Sequence, residues 1–267
     1  MKRQPAVAGQ FYESSASGLS RQVDRYIQEH ESKEDAVGIV CPHAGLMYSG
    51  KVAGAVFSKI RIPDTFIMIG PNHTGYGSPV SLMSSGNWQI PTGQLSIDEN
   101  LSGKLKEGSG LFVDDAAAHQ MEHSLEVQLP FILHFTSRVS IVPITMMPLS
   151  LEKCRVLGET IADSIRRTEY PVTILASSDM SHYETESAAR KKDKLAIEKI
   201  VDLDPEGLYA VVRDNGITMC GVIPVTTMLF AAKSLGAKEA SLIQYMTSGE
   251  ISGDYDYVVG YAGVVVK

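Results

Sequence analysis

One pattern constrains this chain more than any other. A short apolar run stops at a turn residue and then delivers a histidine, and this happens three times. Gly38-Ile39-Val40-Cys41 leads into Pro42-His43-Ala44-Gly45. Phe66-Ile67-Met68-Ile69 leads into Gly70-Pro71-Asn72-His73. Val172-Thr173-Ile174-Leu175-Ala176 leads into Ser177-Ser178-Asp179-Met180-Ser181-His182. Runs of this length, rich in branched side chains and bounded by turn residues, predict buried parallel strands. Open α/β sheets bind ligands just beyond the carboxyl ends of such strands. Three histidines carried to one edge of one sheet are therefore candidates for a shared pocket.

The alternation of strands and helices elsewhere fits the same plan. Amphipathic or capped helices are expected over residues 18–30, after Ser49, from Asp98 toward Lys106, over 151–167, over 185–201, after Asp204-Pro205 and over 222–235. Further strands are expected over 139–146, 240–245 and 257–266. The crossover between the first two histidine-bearing strands has the length of a βαβ unit, so they should be parallel. Residues 79–97 read as a hairpin or an edge extension. Residues 3–12 read as an irregular or extended arm. A helix is expected over 122–134, with Pro130 inside it as a bend. No repeat or linker interrupts the pattern, which predicts a single α/β domain over residues 1–267, a central mostly parallel or mixed sheet flanked by helices.

Composition removes several function classes. The net charge of -7 argues against non-specific binding of nucleic acid. No apolar run reaches the roughly 20 residues that span a bilayer, and no apolar signal segment follows Lys2-Arg3, so a cytoplasmic protein with no membrane partner is expected. Cys41, Cys154 and Cys220 are odd in number and unpaired in spacing, so no disulfide framework is implied. Walker, dinucleotide-binding, nucleophile-elbow and zincin motifs are missing.

His43 and His73 are the leading metal-ligand candidates, because imidazole is the commonest metal ligand and matched strand ends can face one point. Each can also be a loop histidine bonded to backbone. Cys220 precedes a helix, where the N-terminal dipole favours thiolate. It would complete a His, His, Cys set with open positions, against the alternative of a small buried core residue. His182, with Asp179 nearby, is a candidate general acid/base pair, although Asp and His also pair for structural reasons. Glu122 and His123 form a second polar cluster; one of them could reach the site, but helix capping is the simpler account.

Taken together, several motifs make the chain resemble the Memo family, over nearly its whole length. They are residues 3–12, Pro42-His43-Ala44-Gly45, Gly70-Pro71-Asn72-His73, Glu122-His123-Ser124-Leu125-Glu126, Ser177-Ser178-Asp179-Met180-Ser181-His182 and Met219-Cys220-Gly221. The resemblance implies a fold like that of the class III extradiol dioxygenases, which open catechol rings with non-haem iron. It implies metal-site roles for His43, His73 and Cys220, and the acid/base role for His182. Those enzymes use a carboxylate as third ligand, whereas Cys220 offers sulfur, which favours copper(I) or zinc. One ion is expected, iron or copper first and zinc as the alternative. A small-molecule or peptide ligand in the cleft and a radical-SAM partner protein are also implied. A metal-dependent redox or oxygenase-related activity thus stands against a non-catalytic binding or adaptor module and, third, a zinc hydrolase with His182 as base.

Overall fold

The computed structural model describes residues 1–29 and 32–267, and His30 lies outside them. The strands are β1 (Lys2–Arg3), β2 (Gly38–Cys41), β3 (Thr65–Pro71), β4 (Val80–Leu82), β5 (Asn87–Ile90), β6 (Gly93–Ile97), β7 (Val113–Asp114), β8 (Ser140–Met146), β9 (Val172–Ser177), β10 (His182–Glu184), β11 (Ala240–Thr247) and β12 (Val258–Val266). The helices are α1 (Ala16–Asp24), α2 (Leu46–Lys59), α3 (Glu99–Gly108), α4 (Leu129–Phe135), α5 (Leu151–Arg166), α6 (Glu186–Val201), α7 (Pro205–Asp214), α8 (Val222–Ser234) and the short α9 (Gly249–Ser252).

The strands form one mixed sheet, ordered β1-β5-β6-β8-β3-β9-β2-β12-β10, with β11 paired to β12 and β4 to β8. Its centre, β6-β8-β3-β9-β2, is parallel. β12 runs antiparallel to β2 and starts the antiparallel side with β10 and β11. The two strands that precede His43 and His73 are parallel, as their crossover requires. They are not neighbours: β9 lies between them and pairs with both. All three histidine-bearing strands therefore end at the same edge.

Alternation along these strands splits the core into two layers. Val40, Ile67, Ile69, Val142, Ile144 and Ile174 face a cluster that includes residues of α3, α5, α7 and α8. Ile39, Phe66, Met68, Ile141 and Leu175 face the opposite cluster, with residues of α1, α2 and α4. Both faces of a parallel sheet need such cover, which is why its strands are apolar throughout.

Local chemistry sets most helix ends. Ser15, Asp98, Ser150, Thr185 and Asp204 each accept a backbone N–H from the first turn of their helix. The expected helix over 122–134 is replaced by a loop, a 3-10 turn at Glu126–Gln128 and then α4. Pro130 sits in the first turn of α4 and does not bend a longer helix. Its missing N–H costs nothing there, because first-turn N–H groups have no intrahelical acceptor. The expected helix over 18–30 is shorter, ending at Asp24. No helix among the described residues is long and apolar enough to cross a membrane.

Candidate metal centre

Three imidazoles meet at the carboxyl edge of the sheet. His43 follows β2, His73 follows β3, and His123 comes from the loop before α4. Their ligand atoms lie within 4.8 Å of one another. Ring centroids are 5.2 Å apart for His43 and His73, 5.6 Å for His43 and His123, and 4.6 Å for the stacked pair His73 and His123. His43 is buried, His123 half-buried and His73 exposed, so the cluster grades from core to solvent. Such a group could hold one metal ion.

The hydrogen bonds fix which ring nitrogens are free. Ser177 Oγ donates its single hydrogen to the Ser124 carbonyl at 2.7 Å. It must then accept from the other neighbours, Gln128 Nε2 at 3.0 Å and His43 Nδ1 at 2.9 Å. His43 is thereby the Nδ1–H tautomer, with its Nε2 lone pair turned to other uses. His73 Nδ1 donates to Glu122 Oε1 at 2.9 Å, so its Nε2 lone pair is free as well. A hydrogen-bond acceptor on the far nitrogen is the usual device for orienting a metal-binding imidazole.

Glu122 anchors this arrangement. Fully buried, it accepts the His73 backbone N–H at 2.5 Å and the Ser124 N–H at 2.9 Å besides the His73 ring. Burial opposes its ionisation, but the hydrogen bonds from His73 and from the Ser124 N–H outweigh that and hold its pKa below the usual carboxylate range. Burial pushes His43 well below the usual imidazole range, with the neighbouring rings of His73 and His123 adding to it. Burial also lowers His123. Neutral imidazoles are the forms that bind metals.

Close packing makes the geometry possible. A Cβ on Gly70 would lie 2.7 Å from Ser124 Oγ and 2.8 Å from Leu125 Cδ2. Glycine there lets the 122–125 loop press against the end of β3, where Ser124 Oγ bonds the Pro71 carbonyl at 3.0 Å.

Cys220 stands beside His43, its Sγ 3.3 Å from Nε2. It also receives the Asp179 N–H at 3.3 Å. Burial pushes its thiol pKa up, so without an ion the group is a thiol that donates to the free His43 nitrogen. Asp179 is buried and its carboxylate accepts the N–H groups of His43 at 2.7 Å and Ala44 at 3.3 Å. It holds the backbone of the His43 loop, and burial raises its pKa. His182 Nδ1 donates to the Thr218 carbonyl at 3.0 Å, leaving its Nε2 free. A charge on His182 lowers the pKa of both His43 and Asp179, which places it in the same electrostatic neighbourhood. Cys41 is fully buried, its pKa raised by desolvation, and packs with the core.

A cavity of 610 Å³ reaches this edge between the ends of β3 and β8 and the loop before α8. His73 and Cys220 contribute to its wall, with Met146, Met147, Ile217 and Met219.

The sequence places His43 and His73 together and leaves open whether Glu122 or His123 joins them, with capping as the simpler account; the structure brings His123 in. Its membership depends on the loop fold that replaces a helix. The signal that marks it is the adjacency of Glu122 and His123 within a family motif.

Comparison with known proteins places the chain in a family. The profile of the Memo-like protein family matches residues 3–265. A MEMO1 family protein of Methanosarcina mazei is 43% identical over 268 residues, covering 99% of each chain. One of Methanothermobacter thermautotrophicus is 40% identical over 275 residues, covering 98% of this chain and 99% of the relative. The crystal structure of uncharacterized protein JW3007 from Escherichia coli K12 has a similar fold. Its TM-score is 0.57 at 10% identity, with 85% of this chain and 98% of that chain covered. Over essentially its full matched length, with the histidine loops at the sheet edge, the chain belongs to the Memo family.

Proposed function

We propose that the protein is a metal-dependent redox protein whose centre is built on His43 and His73, with His123 beside them and Cys220 as a further donor. The observation that carries this reading is the tautomer pattern: Ser177 and Glu122 hold the Nδ1–H groups of His43 and His73, leaving both Nε2 lone pairs for an ion. The 3.3 Å between Cys220 Sγ and His43 Nε2 suits two donors on one ion. Bonds of about 2.0 and 2.3 Å at a tetrahedral angle separate their donor atoms by about 3.5 Å. Cys220, a thiol here, would hold an ion as thiolate, so its proton would be released to solvent on loading.

The donor set is nitrogen with sulfur, which suits copper, zinc or iron better than hard cations; the redox role assigned here takes copper or iron. When bound, such an ion supplies the electron-transfer chemistry. The chain's own residues supply orientation and proton handling. Asp179 holds the His43 loop, Glu122 holds His73, and His182, bonded to Thr218 of the cavity wall and with Nε2 free, is the proton-handling group of this proposal. The cavity wall is mostly apolar and fits a small molecule whose polar end meets His73 and Cys220. An oxygenase-related reaction on a fold like that of the class III extradiol dioxygenases is part of this proposal.

Metal analysis of protein purified without chelator tests it, together with oxygen consumption with catechols. The expected result is about one equivalent of iron or copper, reduced strongly in His43→Ala and Cys220→Ser. Metal content unaffected by His43→Ala sinks the centre. A zinc-only protein with no redox response sinks the redox assignment.

A further inference from the structure

The residues that hold His123 and Glu122 from behind belong to the arm over 3–12. Arg3 is fully buried although it lies in a two-residue strand. Its Nε donates to the His119 carbonyl at 2.7 Å, and Nη2 donates to the Glu122 carbonyl at 2.7 Å. Nη1 reaches Glu126 Oε2 at 2.6 Å and the Gln4 carbonyl at 3.2 Å. The guanidinium sits 4.2 Å from the centre of the Trp88 ring.

Glu126, also fully buried, spends its whole carboxylate on the same arm. Oε2 accepts Arg3 and the Ala6 N–H at 2.8 Å, and Oε1 accepts the Val7 N–H at 3.1 Å and Tyr12 Oη at 2.5 Å. The arm then crosses the site. The Phe11 ring lies 4.7 Å from that of His123, and the Phe11 carbonyl accepts the Leu46 N–H at 2.7 Å. That last bond fixes the start of α2, directly after the His43 loop.

A buried charge pair with every lone pair satisfied is rigid, and breaking one partner is costly. Here the rigidity is directed at one place. The arm grips the 119–126 loop from its backbone side, covers His123 with an aromatic ring and pins the far side of the His43 loop. We propose that Arg3 is a positioning residue of the metal centre, and that docking of the arm and binding of the ion are thermodynamically coupled. This rests on the metal-binding reading above. Coupling of this kind is reciprocal: if the docked arm tightens ion binding, the ion tightens docking by the same factor.

The test uses the full chain with Co²⁺ alone as probe. Hydrogen exchange of the Ala6 and Val7 amides is measured in the wild type with and without the ion. Co²⁺ affinity and visible absorption are measured for wild type, for R3M/E126Q, which removes both charges together, and for Phe11→Leu, which leaves the ion pair intact. Loss of an outer-shell partner weakens metal binding by about 10–100-fold. The expected result is that loss in R3M/E126Q, a changed Co²⁺ spectrum in Phe11→Leu, and exchange at Ala6 and Val7 slowed by the ion in the wild type. A merely structural arm lowers the melting temperature of the variants and leaves the affinity and spectrum of folded protein unchanged. If the wild type binds Co²⁺ but exchange or affinity fails to respond, the coupling is wrong and the metal centre stands. If the wild type binds no Co²⁺, both are wrong. The exchange measurement needs no variant, so misfolding of R3M/E126Q does not shield the proposal.

Discussion

Replacing Ser177 with alanine tests the argument that tautomer control builds the centre. The hydroxyl joins three groups: the Ser124 carbonyl at 2.7 Å, His43 Nδ1 at 2.9 Å and Gln128 Nε2 at 3.0 Å. Gln128 Nε2 keeps a second partner, the Pro42 carbonyl at 2.8 Å. Two buried groups, the Ser124 carbonyl and the His43 Nδ1–H, are left without partners. Each such orphan costs about 1–3 kcal/mol, so the folded protein should lose about 2–6 kcal/mol. His43 also loses the acceptor that commits its proton to Nδ1. Part of the population then carries the proton on Nε2, where it blocks the lone pair. Co²⁺ affinity should fall by about 10–100-fold, the range seen when outer-shell partners are removed. Urea denaturation of the ion-free protein gives the first number and a Co²⁺ titration of the folded variant gives the second. Lost stability with unchanged affinity would refute the tautomer argument, because stability alone needs no free Nε2.

A matched control is Phe57→Ala. Phe57 is fully buried, stacked on Phe131 at 5.4 Å and edge-on to Phe66 at 6.1 Å. It should lose about 3–5 kcal/mol in urea denaturation and leave Co²⁺ affinity of the folded protein unchanged. Gly54→Ala should also destabilise, by about 1–3 kcal/mol, since the new Cβ would meet the Tyr26 carbonyl oxygen on the backbone; a neutral result by thermal melting would show that α2 and the loop after α1 separate freely. His119 provides a pH prediction. Burial, then the Arg3 charge, lowers its pKa from 6.5 to about 4, and its Nε2 donates to the Ser81 carbonyl at 3.1 Å. The unfolded chain takes up this proton first, so the stability from neutral His119 is complete above pH 6.5 and is lost as pH falls toward 4. The loss is about 3 kcal/mol at roughly 1.4 kcal/mol per pKa unit. His119→Gln, which keeps a donor toward Ser81 but does not titrate, should flatten the urea stability profile across that window; an equally steep profile would assign the slope to other groups.

Much of the molecule is legible in the chain itself. The apolar runs before His43, His73 and His182 specify buried parallel strands, because both faces of each must meet a core layer. The polar caps Asp98 and Asp204 start their helices by local hydrogen bonds alone, and these expectations agree with the structure, whereas Ser49 lies inside α2, which starts three residues earlier after Gly45. A shared edge for the three loops follows from parallel strands, whatever their order. The order itself is not local. Nothing near residues 38–71 announces that β9 comes between β2 and β3, since that choice is settled by packing of the whole sheet.

The site divides in the same way. His43 and His73 can be picked out because a strand end fixes where the following residue goes. His123 cannot, because its place depends on Glu122 turning inward to His73 and on Arg3 and Glu126 clamping the loop from behind. Residues 120–128 have helix-like spacing, but the Glu122 carboxylate is held by His73, 49 residues away, and Arg3 bonds Glu126 and the Glu122 carbonyl across more than a hundred residues, so contacts distant in the chain favour a loop there. The sequence therefore determined which edge of the sheet carries the histidine cluster. Tertiary contacts decided which side chains complete it, since a buried carboxylate or guanidinium takes whatever conformation satisfies its hydrogen bonds, and its partners lie far away in sequence.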